Sequence, residues 1–320
     1  MSEISRDDAL LALGRELVAS GYRFTTITQA SHRRVNARPE NAWARNVTDV
    51  LGWSRPFRDG ALPATTVGLM RAAGILVAHE DGWRSILRAS TIDERLFFHS
   101  AYPTSDDDAV FFGPDTYRFI RAVDACLEAA GEPVMRAVDI GCGAGPGAIT
   151  VGRYFPTAEV IGADINEKAL RLTRINSQLA GITNVAACNS SLLDGLDGQF
   201  DLIISNPPYV HDEDERPYRH GGGALGAGLS LAIVDAAIKR LNWGGALVLY
   251  TGVAIVDGTD PFLREAGARL DRAGLTWAYE EIDPDIFGSE LSNEAYARVD
   301  RIAAVLLRAV RTDRRLDQAA

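Results

Sequence analysis

The feature that most constrains the fold is the regular alternation of apolar strands and helices between residues 115 and 310. Seven short apolar runs are predicted as strands: 135–141, 158–165, 184–191, 200–206, 244–252, 276–282 and 301–310. Helices are predicted between most of them, at 115–131, 147–155, 167–181, 229–241 and 261–274. This order predicts βαβ units, and therefore a doubly wound, mostly parallel seven-stranded α/β sheet with helices on both faces. The last two strands lack a crossing helix, so we expect them to pair antiparallel at the sheet edge.

The first hundred residues have a different pattern and predict a smaller α+β domain. Apolar spacing and proline starts predict helices over 5–20, 39–53 and 62–76, followed by two or three short strands. Helices followed by a β-hairpin are the order of a winged helix, and a helical cap over a catalytic domain is the alternative. The turn-rich acidic segment 103–114 marks the boundary, giving an N-terminal docking domain over 1–102 and a second domain over 103–320.

Composition and charge narrow the class of protein. The 320 residues are 47% hydrophobic and 24% charged, which is typical of a globular chain with a sizeable core. We expect a cytoplasmic protein without a membrane segment, because no apolar run reaches a bilayer's thickness and the acidic N-terminus is unlike a secretory signal. The three cysteines show no metal-ligand spacing, so neither a zinc site nor a disulfide framework is expected.

The net charge of −10 is unevenly distributed along the chain. Residues 1–100 carry 13 Arg and 11 acidic residues, so the front of the chain is mildly basic and the remainder acidic. Four of these arginines (Arg33, Arg34, Arg38 and Arg45) surround Trp43, a pattern that suits phosphate contact and base stacking. An ordinary solvated surface is the equal alternative.

A glycine-rich loop, residues 139–150, follows the first predicted strand of the sheet and opens a helix. Its glycines let the backbone turn sharply and approach a ligand closely. Asp164 ends the second strand, at the distance where a carboxylate accepts hydrogen bonds from the ribose of an adenosine group. Two alternatives remain open: a dinucleotide loop in the GxGxxA register starting at Gly143, and a helix-capping role for Asp164.

Together with the tetrapeptide Asn206–Tyr209 at the end of the fourth strand, these residues resemble the class I S-adenosylmethionine-dependent methyltransferases. Within that class the chain resembles the small-domain N-methyltransferases, over about residues 110–310. Members of that group act on ribosomal-RNA guanine, tRNA adenine, release-factor glutamine or DNA adenine. The resemblance implies S-adenosylmethionine as cofactor. It places these residues at the cofactor: Asp139, Gly141, Gly143, Gly145, Asp164, Ile165, Asn189, Ser190 and Asn206.

The resemblance also assigns catalytic roles to Asn206, Pro207, Pro208 and Tyr209. The Asn206 side-chain oxygen and the Pro207 carbonyl would accept the two hydrogens of a planar NH2 acceptor, whose delocalised lone pair makes it a poor nucleophile. Pro208 would stiffen the turn, and Tyr209 would stack on the acceptor. Removing one such polar group typically costs about 10²–10³ in rate.

The acceptor itself is less constrained than the chemistry. From the basic front end we expect an exocyclic amine of a base in structured RNA, hence nucleic-acid binding, with a protein glutamine such as one in a release factor as the alternative. DNA adenine and a nicotinamide-dependent oxidoreductase are further alternatives. No metal is expected, and the sequence does not indicate an oligomeric state. The segment 220–228 is expected to form a glycine-rich flap, and His211 and His220 to be mobile surface residues.

Overall fold

The computed structural model describes residues 4–104, 106–129, 133–212, 216–223 and 225–312. The N-terminal unit, residues 4–102, contains four α-helices and two antiparallel hairpins. The helices are α1 (Arg6–Ala19), α2 (Gln29–Asn36), α3 (Val47–Leu51) and α4 (Ala64–Ala72). The hairpins pair β1 (Leu76–His79) with β2 (Gly82–Ser85), and β3 (Leu87–Ile92) with β4 (Arg95–Ser100).

The single helix predicted over 39–53 is wrong. A 3-10 turn at Pro39–Asn41 is followed by an irregular stretch and then by the short helix α3. The cause is local: the Asn46 side chain accepts a hydrogen bond from the backbone N–H of Asp49 at 2.9 Å and so starts a new helix. The Asp49 carboxylate pairs with the buried Arg55 guanidinium at 2.5 Å, which holds that new start in place.

Residues 136–310 form the predicted seven-stranded sheet. Its strands are β5 (Arg136–Ile140), β6 (Glu159–Asp164), β7 (Val185–Asn189), β8 (Phe200–Ser205), β9 (Leu241–Val256), β10 (Thr276–Asp283) and β11 (Val299–Val310). They lie in the order β10-β11-β9-β8-β5-β6-β7. The strands from β9 to β7 are parallel, and β11 runs antiparallel between β9 and β10. The predicted fold class is confirmed, including the antiparallel edge.

Helices cover both faces of this sheet. They are α5 (Pro114–Glu128), α6 (Pro146–Tyr154), α7 (Glu167–Leu179), α8 (Gly228–Arg240) and α9 (Pro261–Ala273). The buried apolar side chains of α8 and α9 form a core with one face, and those of α5, α6 and α7 form a core with the other. Among the described residues, none of the helices has both the length and the apolar character that crossing a bilayer requires.

The N-terminal unit is packed into the second of these cores. Leu10 and Leu13 of α1 and Phe98 of β4 belong to the same buried cluster as Ile175 of α7. The segment predicted as a boundary linker joins it too, since Val110 is 2% exposed and Phe112 stacks on the His99 ring at 4.7 Å. The chain therefore passes from the N-terminal unit to the sheet through a partly buried connection.

Candidate active site

The carboxyl ends of β5, β6 and β8 meet where the strand order reverses, the position at which open α/β sheets bind ligands. A cavity of about 260 Å³ lies there. The predicted site residues that line it are Asp139, Gly141, Gly143, Asp164, Ile165, Ser190, Asn206, Pro207, Pro208 and Tyr209. The strand ends thus bring together ten of the twelve residues chosen from the sequence.

The glycine-rich loop turns sharply between β5 and α6. Gly141, Gly143 and Gly145 have φ values of 70°, 55° and 83°, a region that favours glycine. Gly145 does not line the cavity. It lies against α7 instead, where a Cβ atom would come within 2.9 Å of the Thr173 side chain. Its role in this structure is to let the loop rest on α7.

Asp164 ties this loop to the end of β6. Its carboxylate accepts hydrogen bonds from the backbone N–H groups of Gly143 and Asn166, both at 2.9 Å. Burial raises the pKa of Asp164, and these two bonds oppose that shift. The cap of α7 is Asn166, whose side chain accepts from the N–H of Lys168, so the capping alternative for Asp164 is not what the structure shows. A carboxylate has about four acceptor positions, which leaves capacity on the cavity side.

Asp139, at the end of β5, is a second buried carboxyl. One oxygen accepts from the N–H of Ala148 at 2.9 Å, and the other has no hydrogen-bond partner among the described residues. Burial raises the pKa of Asp139 to about 7, and the nearby Asp164 adds to the shift. An unpaired buried acceptor is costly, so this oxygen fits a ligand that brings a donor or a positive charge.

The end of β7 departs from the expected arrangement. The Asn189 amide donates to the Glu167 carboxylate at 2.8 Å and lies outside the set of residues that line the cavity. This bond forms because β7 ends beside the start of α7, which carries that carboxylate. Ser190 and Ser191 line the cavity instead, with the Ser190 hydroxyl bonded to the carbonyl of Leu192 at 3.1 Å.

The tetrapeptide leaves the end of β8 and enters the cavity. The Ser205 hydroxyl donates to the Ile140 carbonyl at 2.7 Å, which fixes the end of β8 against β5. Asn206 follows, half-buried, and its side-chain amide makes no hydrogen bond within the part of the chain that the structure describes. A carboxamide that follows a fixed strand end, with its own polar atoms unused, suits recognition of a ligand amide or amine.

Tyr209 is a fixed part of the cavity wall. Its ring lies against Gly252 of β9, where any Cβ atom would overlap it, and meets Phe287 edge-on at 5.7 Å. The hydroxyl is buried without a hydrogen-bond partner among the described residues. Burial raises its pKa, and the negative charge of Asp115 raises it further. The ring therefore offers one restrained face to a ligand.

Asp115, at the start of α5, is a cavity residue that the sequence analysis missed. It is buried, accepts from the Tyr250 hydroxyl at 2.8 Å and pairs with Arg118 at 3.0 Å. Arg118 in turn contacts Asp283 of β10 at 2.8 Å. In the sequence it is the first residue of the helix predicted over 115–131, and that position alone gives no signal of a site.

A second missed feature is an ion-pair clasp between two loops beside Tyr209. Asp212 pairs with Arg216 and Arg219, and Arg219 also pairs with Glu290 at 2.6 Å. His211 reinforces the link between the loops, because its backbone N–H donates to the Tyr296 hydroxyl at 2.7 Å. We call these four charged residues the loop clasp.

The loop clasp changes the interpretation of the neighbouring histidines and glycines. His211 and His220 are half-buried with rings 5.5 Å apart, so they are less exposed than the prediction of surface residues implies, and their mobility stays a prediction. Glu213–Glu215, in the acidic run between them, lie outside the described residues. In the predicted flap, Cβ atoms at Gly221 and Gly226 would overlap the tetrapeptide backbone, so these glycines allow close packing.

The N-terminal unit also reaches the cavity, through Gln29 at the start of α2. Of the residues predicted to contact nucleic acid, Arg33 and Arg34 are exposed on this helix. One face of the Trp43 ring is occupied, because the Arg58 guanidinium lies over it at 4.1 Å.

Metal-ligand geometry is not found at this site or elsewhere in the described ranges. No group of three or more His, Cys, Asp or Glu side chains there is arranged to hold a metal ion. Cys126, Cys142 and Cys188 are free thiols.

Comparison with known proteins gives the class. Residues 124–254 match the family model of the methyltransferase small domain. The release factor glutamine methyltransferase of Deinococcus radiodurans is 32% identical over 200 residues, covering 58% of this chain and 66% of that protein. The ribosomal protein uL3 glutamine methyltransferase of Xanthomonas campestris pv. campestris is 38% identical over 133 residues, covering 38% of this chain and 43% of that protein. The match therefore spans less than two thirds of either relative.

Among solved structures, the ribosomal protein L11 methylase of Lactobacillus delbrueckii subsp. bulgaricus aligns with a TM-score of 0.41 and 19% identity, over 62% of this chain and 80% of that chain. The expected resemblance to class I S-adenosylmethionine-dependent methyltransferases is confirmed by the family match, the relatives and the sheet order. The comparisons thus indicate this class for residues 124–254, and S-adenosylmethionine is the methyl donor of the class.

Proposed function

We propose that this protein transfers a methyl group from S-adenosylmethionine to the side-chain amide nitrogen of a glutamine in a protein. One observation carries the proposal: the unpaired Asn206 carboxamide lines the same cavity as the glycine-rich loop and Asp164. That cavity therefore joins a candidate nucleoside site to a candidate amide site.

The residues that would hold the donor fit its chemical groups. Asp164 has acceptor capacity for ribose hydroxyls. Ile165 is an apolar side chain left 56% exposed at the cavity, which suits packing on an adenine face. The unpaired oxygen of Asp139 suits an ammonium group, reached directly or through water.

S-adenosylmethionine supplies an electrophilic methyl group on a sulfonium, whose sulfur keeps the electron pair of the broken bond as the new C–N bond forms. Asn206 would accept one hydrogen of the acceptor NH2 through its side-chain oxygen, and the Pro207 carbonyl would accept the other. These bonds would orient the acceptor nitrogen and stabilise the positive charge that develops on it. The proton that nitrogen then loses passes to water, so no dedicated base is required.

The proposal of a protein acceptor rests on the substrates of the two similar proteins. The sequence favours an RNA base through its arginines and a winged-helix-like front end. The two relatives described above are glutamine methyltransferases of a release factor and of ribosomal protein uL3, which favours the glutamine alternative. One face of the Trp43 ring is already occupied by Arg58, and the net charge is −10, and both observations weaken the RNA interpretation. The methyltransferase family match favours methyl transfer over the nicotinamide alternative. A cytoplasmic location is part of the proposal.

The test incubates the purified full-length protein with radiolabelled S-adenosylmethionine and, separately, a purified release factor, ribosomal protein uL3 and total RNA. We expect label in one of the proteins, with the added methyl group located on a glutamine by peptide mass spectrometry. Asn206→Ala should retain S-adenosylhomocysteine binding and lose about a hundredfold or more in rate. Asn242→Ala is the matched control, because that carboxamide bonds Asp201, away from the cavity.

Three results of this experiment would contradict different parts of the proposal. Label in RNA would replace the protein acceptor with an RNA base. Unchanged methylation by the Asn206→Ala variant would remove the catalytic role of the tetrapeptide. A protein that binds no S-adenosylhomocysteine in calorimetry would contradict the proposal as a whole.

A further inference from the structure

Asn176, in the middle of α7, is fully buried and connects two parts of the molecule. On one side its carboxamide bonds the backbone of β4 in the N-terminal unit, and on the other it bonds the glycine-rich loop. We infer that Asn176 is a positioning residue through which the N-terminal unit holds the cofactor loop in its binding conformation. The inference rests on the proposed function only in taking this loop as the cofactor loop.

On the loop side, α7 holds two successive carbonyl groups. The Asn176 side-chain nitrogen donates to the carbonyl of Ala144 at 2.8 Å, and the Thr173 hydroxyl donates to that of Gly143 at 3.0 Å. The N–H of Gly143 is held from the opposite side by Asp164. Because these bonds fix peptide groups between Gly143 and Gly145, they set the path of the backbone that lines the cavity.

On the N-terminal side, Asn176 acts as a strand neighbour of β4. Its oxygen accepts from the N–H of Phe98 at 2.9 Å, and its nitrogen donates to the carbonyl of Phe98 at 3.0 Å. The β3–β4 hairpin is a two-stranded sheet, an arrangement that is marginally stable alone. The Asn176 carboxamide uses its oxygen and one amide hydrogen on Phe98 and its other amide hydrogen on Ala144. A shorter or apolar side chain would therefore leave buried backbone groups unpaired.

The hairpin supports a second wall of the same cavity. Ser100, two residues after Phe98, accepts from the N–H of Val110 through its hydroxyl at 2.8 Å and donates its own N–H to the Val110 carbonyl at 3.1 Å. Val110 lines the cavity. A displacement of β4 would therefore move both the cofactor loop and the wall that faces it.

Two contacts between α7 and α1 do not involve the loop. Leu179 packs against the backbone of α1 at Gly14, and Arg171 pairs with Asp7 at 2.6 Å. They supply matched controls, because they attach the N-terminal unit to the same helix without touching a loop carbonyl. Coupling of this kind is reciprocal, so cofactor binding should also stabilise β4.

The test measures hydrogen–deuterium exchange of the full-length protein with and without S-adenosylhomocysteine. In the wild type we expect added protection both in the loop 141–148 and in β4. In Asn176→Ala the protection should remain in the loop and disappear from β4, with affinity for S-adenosylhomocysteine reduced about tenfold in calorimetry. Leu179→Ala should lower the melting temperature while keeping both the protection of β4 and the affinity.

Thr173→Val removes a loop contact and keeps the contact with β4, so it should weaken cofactor affinity without loosening the hairpin. Where Asn176→Ala does not fold, Asn176→Ser takes its place. Absence of β4 protection in the wild type, or equal affinity losses in Asn176→Ala and Leu179→Ala, would overturn the inference. Failure to bind S-adenosylhomocysteine would instead count against the proposed function, and the identity of the acceptor affects neither result.

Discussion

Asp139 shows how one buried carboxyl makes stability depend on pH. Its pKa is about 7 in the folded chain against an ordinary value of 3.8, because burial disfavours the charged form. A raised carboxyl pKa means that the folded state keeps a proton that the unfolded state releases. The resulting stabilisation is complete below pH 3.8, is lost as pH rises towards 7, and does not change further above that.

We therefore predict that Asp139→Asn removes a pH-dependent part of the stability. Between pH 5 and 7 the free energy of unfolding of the wild type, relative to the variant, should fall by up to about 1.4 kcal/mol per pH unit. Urea titrations at several pH values measure this difference. A difference that is constant from pH 5 to 7 would show that Asp139 does not titrate in this range.

Gly252 gives a prediction about Tyr209. A Cβ atom at this position would overlap the Tyr209 ring, so Gly252→Ala should displace the ring from the cavity wall. We expect methyl transfer to fall by about tenfold or more, since small displacements at a reacting centre are costly. Steady-state kinetics measure the effect. Gly68→Ala is the matched control, because nothing lies within 4 Å of the added atom, and an equal loss there would contradict the prediction.

The sequence predicts which residues belong to the candidate site where those residues lie at the end of a strand. Asp139 is the next-to-last residue of β5, Asp164 is the last of β6 and Asn206 follows β8, and the ends of parallel strands converge at one edge of a sheet. Asp115 could not be found in this way, because it starts a helix and reaches the cavity only through tertiary packing. Asn189 follows the same strand-end rule, yet a nearby carboxylate takes its amide.

At the scale of elements, the sheet was predictable and the N-terminal unit was less so. Buried parallel strands are continuous apolar runs, and the helices between them fix both their number and their direction. The short helices before residue 75 depend on single side chains such as Asn46, whose capping bond ends one turn and begins another. Local patterns of apolar spacing do not contain that information.

The loop clasp gives a prediction at this scale. Glu290→Ala removes the link between Arg219 and the loop that carries Phe287, so the wall beside Tyr209 should loosen. We expect KM for the protein acceptor to rise several-fold, with little change in the Kd for S-adenosylhomocysteine, because the cofactor loop is elsewhere. Glu294→Ala, an exposed acid in the same segment, is the control. A change in the Kd for S-adenosylhomocysteine without a rise in KM would contradict the prediction, because it would show that the loop clasp acts on cofactor binding.

At the scale of the whole molecule, the sequence suggests two domains, whereas the structure has buried clusters that cross the proposed boundary. The change in pattern near residue 103 is real, because helices and hairpins give way there to strand–helix alternation. Composition does not reveal that Val110 and Phe112 are buried against side chains of the N-terminal unit. The change in sequence pattern near residue 103 therefore does not separate two independently packed cores.

We predict that residues 103–320 do not fold alone. Removing the N-terminal unit would expose the apolar surface that Leu10, Leu13 and Phe98 cover, and each such side chain contributes about 1.5–3 kcal/mol when buried. The loss of several such buried side chains is comparable to the whole stability of a typical protein, about 5–15 kcal/mol. Asn176 would also lose the two of its three hydrogen bonds that it makes with Phe98. Calorimetry of the full chain should show one unfolding transition, and the fragment should show none and bind no S-adenosylhomocysteine. Two separate transitions, or a folded fragment with full affinity, would mean that the N-terminal unit is an independent domain that only docks against the sheet.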